Sequence, residues 1–183
     1  TKTVYVRFRD LAGNVGDTRS DSIILDTIPP EALYAYAPSY YVTGSTVQVY
    51  IEASGATQMR LDVIDVDGTK TTGSWQAFDA EPTVTLPTVL QGQKLIDVAL
   101  RDAAGNESPI VTAYVLFDSV APSNPSVSFA SGEWTKTSSA TLNLSAAGAD
   151  MVMIATDGAA DTEPWSYYST VRTITLPNPD GPK

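Results

Sequence analysis

The chain has no cysteine and no histidine among its 183 residues. Without thiols there is no disulfide, zinc–thiolate site, cysteine nucleophile or covalent haem attachment. Without imidazole, the commonest general base and transition-metal ligand are missing, which leaves any chemistry to carboxylates, lysine, tyrosine and hydroxyls. Positive charge is scarce too: 11 Lys and Arg stand against 21 Asp and Glu, a net charge of −10 spread along the chain. That balance favours solubility and argues against nucleic acid or anionic lipid as partner. No apolar run approaches the ~18 residues of a membrane helix, so membrane insertion is not expected. The opening Thr1-Lys2-Thr3-Val4-Tyr5 holds no signal-peptide core, and a secretion signal is expected outside this segment. No phosphate loop, nucleophile elbow or metal triad appears, so neither an enzyme nor an obligatory cofactor is expected.

What is present is a repeat. Arg9-Asp10-Leu11-Ala12-Gly13-Asn14 returns as Arg101-Asp102-Ala103-Ala104-Gly105-Asn106, 92 residues later. At the same spacing Val4, Val6 and Phe8 match Ile96, Val98 and Leu100, Ile23-Ile24-Leu25-Asp26 matches Val115-Leu116-Phe117-Asp118, and Pro30 matches Pro122. Val49 and Ile51 match Leu142 and Leu144 at 93, while Asp67-Gly68 and Trp75 match Asp157-Gly158 and Trp165 at 90, a drift that belongs to loops. Such a period is one β-sandwich domain. Residues 1–28 then supply the last two strands of a repeat, residues 29–121 a complete one, and residues 122–183 the front part of a third.

Period-two alternation marks the strands: Val47, Val49 and Ile51 point inward, with Gln48, Tyr50 and Glu52 outward. In the complete repeat, strands are expected near 33–37, 45–53, 57–65, 72–78, 82–86, 94–101 and 110–117, an all-β pattern of seven short strands. The Ala-rich stretch 146–160 carries Gly148 and Gly158 and is likewise expected to be strand. Asp-x-Ala-Gly-Asn reads as a hairpin turn, in which Asp10 and Asp102 accept from following amides and Gly13 and Gly105 supply positive φ. Pro29, Pro30 and Pro122 fix the backbone of the linkers and make them stiff and extended.

Val4 to Asn14 followed by Asp21 to Pro30, together with Trp75-Gln76-Ala77-Phe78 and Trp165-Ser166-Tyr167-Tyr168, resembles the bacterial immunoglobulin-like repeats of large extracellular and cell-surface proteins. The resemblance implies tandem immunoglobulin-like Greek-key β-sandwiches in an extracellular stalk or filament, or the shaft of an adhesin, or an accessory module of a polysaccharide-active protein. A sandwich front without its final strand pair cannot leave its apolar face open. Residues 1–28 are therefore expected to complete residues 122–183 of another copy, head to tail, with Val4, Val6, Phe8, Ile23 and Leu25 entering the core.

Three further groups invite a functional reading. Trp75 and Trp165, with Trp134, Tyr34, Tyr36, Tyr40 and Tyr41, offer aromatic faces to a polysaccharide, although equivalent tryptophans also suit a structural plug. Asp26 and Asp118 lie at the repeat junctions and, with Asp10, Asp102, Asp65 or Asp67, offer oxygens to Ca²⁺, although capping is the simpler role. Lys2 and Lys94 recur at matching strand ends and offer amines for an intramolecular cross-link to Asn or Asp, although lysine at a strand end is ordinarily solvated.

Overall fold

Alternating apolar and polar residues build strands throughout. The computed structural model describes residues 1–156 and 163–177, and these contain no helix, hence none long and apolar enough to cross a membrane. The chain is all-β and divides into two compact units, Thr1–Ser119 and Val120–Lys183. The matched pair Asp157-Gly158 lies outside the described residues.

The first unit opens with an antiparallel hairpin, β1 (Lys2–Val6) and β2 (Arg19–Ile23). Two sheets packed face to face follow. One is a layer of two strand pairs, β3 (Glu31–Tyr36) with β6 (Tyr50–Ser54) and β5 (Thr46–Gln48) with β10 (Thr83–Thr85). The other runs β4 (Tyr41–Val42), β12 (Val111–Phe117), β11 (Gly92–Arg101), β7 (Gln58–Ile64), with short β8 (Lys70–Thr71) and β9 (Gln76–Ala77) both paired to β7. Inward residues of both sheets make one core, including Val47, Val49, Ile51 and Val84 from the first and Met59, Ile96, Val98, Leu100 and Val115 from the second.

Two expected strands differ. The strand over 45–53 is interrupted at Val49 because its partners change there. β5 pairs with β10, β6 pairs with β3, and the Val49 amide donates to the Pro82 carbonyl at 3.0 Å. The strand over 72–78 shrinks to β9. Gly73 passes so close to β7 that a Cβ on it would lie 2.3 Å from the Leu61 carbonyl oxygen, and its amide donates instead to Asp62 Oδ1 at 3.1 Å.

The second unit has β13 (Ser123–Phe129), β14 (Ser139–Ala147) and β17 (Val171–Thr175) in one sheet, and a short ribbon of β15 (Met151–Val152) with β16 (Ser166–Tyr167). Strand structure in the Ala-rich stretch stops at Val152 among the described residues. In the first unit the matching strand, β7, continues because β11 pairs along its length. A strand without a neighbour has no ladder to hold it extended.

The pairing registers repeat between units. Tyr34↔Glu52 and Tyr36↔Tyr50 correspond to Ser126↔Ser145 and Ser128↔Asn143, and Val84↔Val47 corresponds to Ile174↔Ala140. The hairpin shows the same congruence with β11–β12: Lys2↔Ile23, Val4↔Asp21 and Val6↔Arg19 against Lys94↔Val115, Ile96↔Ala113 and Val98↔Val111.

Lys94 corrects an expectation. Its side chain is fully buried rather than solvated, ion-paired to Asp65 and donating to the Leu90 carbonyl at 2.7 Å. Position 94 is inward in the 94, 96, 98, 100 alternation, so the ammonium enters the core's edge and must find a partner there.

Four aspartates are held below the ordinary value of 3.8. Asp10 and Asp102 are lowered first by the side chains of Asn14 and Asn106, and Asp67 by the Thr69 amide. Burial pushes Asp62 upward, but hydrogen bonds from Lys70 and the Gly73 amide, with the charge of Arg60, outweigh it. Each unfolded carboxyl therefore takes its proton at a higher pH than the folded one. The stabilisation is complete above about pH 5 and is lost as the pH falls through 3.8 and below the folded values. The thermal midpoint in calorimetry is expected to be flat from pH 5 to 8, where no histidine titrates, and to drop below about pH 4. A midpoint that rose on acidification to pH 3 would contradict this assignment.

Candidate assembly surfaces

The turn at the tip of each hairpin is built by one aspartate. Asp10 Oδ1 accepts from the Asn14 amide at 2.8 Å and Oδ2 from Asn14 Nδ2 at 2.8 Å; Asp102 does the same with Asn106 at 2.9 and 2.8 Å. The glycine before each asparagine has positive φ, +99° at Gly13 and +92° at Gly105, the left-handed region where a side chain is disfavoured. Below the tips, Arg9 bridges Val15 as Arg101 bridges Glu107. The two hairpins are therefore the same local object.

Their surroundings differ. In β11–β12 the inward row Ile96, Val98, Leu100, Val115 and Phe117 is buried in the core. The matching row of the first hairpin, Val4, Val6, Phe8, Ile23 and Leu25, is exposed: Phe8 is 70% accessible where Leu100 is 0%, and Leu25 is 65% where Phe117 is 2%. Lys2 and Asp21 share that face, at the register positions of Lys94 and Ala113. At ~25 cal/mol per Å² of apolar surface, a row of five large side chains left in water is a considerable unspent driving force.

The second unit carries the complementary shortfall. Ile174 and Leu176 are only partly buried, whereas their counterparts Val84 and Leu86 are in the core. An apolar groove of about 300 Å³ opens elsewhere in the same unit, lined by Val127, Leu144, Met151, Val152 and Tyr168. Val152 occupies the register position of Met59, shown by Val152↔Ser166 against Met59↔Gln76. In the first unit Met59 lies opposite Leu100, the counterpart of Phe8.

The remaining candidates are not gathered into one site. Trp75 is half-buried, with the guanidinium groups of Arg101 and Arg60 at 4.3 and 5.2 Å from its ring centre. Its ring is thus already engaged by two cations. Trp165 is exposed on the second unit, as is Trp134. Asp26 Oδ1 accepts from the Ile28 amide at 3.1 Å, and the Asp118 amide donates to the Val42 carbonyl at 3.0 Å. Among the described residues no three acidic side chains come together where a metal ion could bind. Pro30 is buried, while Pro29 and Pro122 are exposed.

No family model matches the chain, and no curated protein matches it. Among solved structures, CopC from Methylosinus trichosporium OB3b is similar over 49% of this chain and 93% of that chain, at 15% identity and a TM-score of 0.35.

Proposed function

We propose that the chain is a structural segment of an extracellular filament or stalk, made of tandem immunoglobulin-like sandwiches that are completed head to tail. The observation that carries this reading is the hairpin β1–β2. It has the register and turn of β11–β12 yet exposes the side chains that β11–β12 buries. A preformed strand pair with an apolar face is suited to strand addition, and the front sheet β13–β14–β17 with its groove is a receiver of the right kind. The neighbour is either a separate copy or an adjoining stretch of a longer polypeptide. Because donor and receiver are different surfaces, each joint leaves both available again, and the series propagates as a line. The acidic surface keeps such lines apart in solution.

The test is a tandem of two chains joined Lys183 to Thr1. Hydrogen exchange is expected to be slow for the β1–β2 amides of the second copy, which meet the front of the first, and fast for the same amides in the first copy. Equally fast exchange in both hairpins would sink the proposal.

A further inference from the structure

The edge of the first unit where β3 adjoins β12 carries a second surface, apart from the row Val4, Val6 and Phe8. Tyr34 and Tyr36 on β3 lie beside Tyr50 on β6: the Tyr36 and Tyr50 rings stack with centroids 5.3 Å apart and planes at 18°, and Tyr34 is 5.9 Å from Tyr36. Tyr40 and Tyr114 pack edge-on at 6.2 Å. A cleft of about 340 Å³ joins the two groups, with Tyr36, Tyr40 and Tyr114 on its walls, and a second of about 240 Å³ runs from Tyr36 to Tyr34 and Glu81. Tyr34, Tyr36, Tyr40 and Tyr114 are all exposed.

The fold does not require these rings. By register, the second unit has Ser126, Ser128 and Asn143 where the first has Tyr34, Tyr36 and Tyr50, and the free hairpin has Ser22 where β12 has Tyr114. Small polar residues thus satisfy the same outward positions of the same strands. An exposed aromatic group that strand geometry does not demand points to recognition. Polar groups frame it: Glu52 and Glu81 line the second cleft, and Glu81 Oε2 accepts from Gln48 Nε2 at 3.2 Å.

We propose that this tyrosine face binds a neutral polysaccharide. The C–H faces of pyranose rings stack on the exposed rings, while sugar hydroxyls donate to Glu52 and Glu81 and exchange hydrogen bonds with the tyrosyl hydroxyls. Two clefts sharing Tyr36 suit an extended glycan chain better than a single sugar. The carboxylates at the site and the net charge of −10 select against polyanionic glycans. This inference is independent of the assembly reading.

Affinity electrophoresis of the whole chain through gels containing hydroxyethylcellulose, galactomannan, dextran or alginate tests it, alongside titration with a proline-rich peptide. Retardation is expected in at least one neutral gel. It should weaken roughly two- to tenfold for Tyr50→Asn or Tyr114→Ser alone, and by at least about tenfold when Tyr34→Ser and Tyr36→Ser are added. Every replacement is a residue the repeat already uses at that position, and circular dichroism is expected to be unchanged. Trp165→Ser should migrate like the parent. The proposal is overturned by no retardation in any neutral gel, by binding only to alginate or only to the peptide, by undiminished retardation of the tyrosine variants, or by loss of retardation in Trp165→Ser.

Discussion

Phe8→Asp is expected to abolish head-to-tail assembly while leaving the first unit folded. Leu100, at the matching place 92 residues on, is completely buried opposite Met59, and the groove beside Val152 is where the same contact is missing in the second unit. Truncating a buried phenylalanine costs about 3–5 kcal/mol, and an unpaired carboxylate in an apolar site adds to that. A loss of about 3 kcal/mol corresponds to roughly 150-fold in the joint's dissociation constant, enough to disperse assemblies at micromolar concentration. Phe8 is exposed in its own unit, so the substitution removes no internal core contact. Leu11→Asp is the control. Leu11 sits at the turn, where its counterpart Ala103 is exposed, and its replacement should not alter assembly. Light scattering and negative-stain micrographs read both variants. A Phe8→Asp chain that assembled like the parent, or a Leu11→Asp chain that did not, would remove the basis for the joint proposed above.

Much of this was legible because turns and alternation are local. Asp10 to Asn14 and Asp102 to Asn106 announce the same hairpin by their residue types, and Val4, Val6 and Phe8 announce an apolar face by their spacing alone. What alternation cannot report is who pairs with whom. The change of partner at Val49 depends on β3 and β10 arriving on opposite sides of one strand. Trp75 reads from sequence either as a platform or as a structural plug, because Arg60 and Arg101, which lie over its ring, come from β7 and β11 and not from its own segment. Tyr50 and Tyr114 carried a usable signal, the outward position next to inward ones. Their meeting with Tyr36 and Tyr40 follows from strand order, which spacing does not contain. Lys94 was misread for a different reason: its residue type says solvent while its position says core, and position prevailed because Asp65 is there to pair with it.

That pair supplies the largest expected stability effect in the complete unit. Lys94 Nζ has no exposure, and its ammonium is held by Asp65, the Leu90 carbonyl and the face of Phe117, with the ring centre 5.7 Å away. Asp65 is nearly buried as well, and its Oδ1 also accepts from the Val66 amide at 2.6 Å. Asp65→Ala would strip the ammonium of its ion-pair partner without giving it water. Such a break costs about 3–5 kcal/mol, a large share of the ~5–15 kcal/mol typical of a domain. The pair as a whole is worth much less than either half suggests, because both charges were desolvated to form it. Lys94→Met combined with Asp65→Leu removes charge and counter-charge together, and should recover most of the loss. Urea titrations are expected to place the midpoint of Asp65→Ala well below that of the parent and the double variant close to it, with similar slopes in all three. If the double variant fell as far as the single one, packing of the lysine stem and the turn at Asp65, rather than the uncompensated charge, would be what the core's edge depends on.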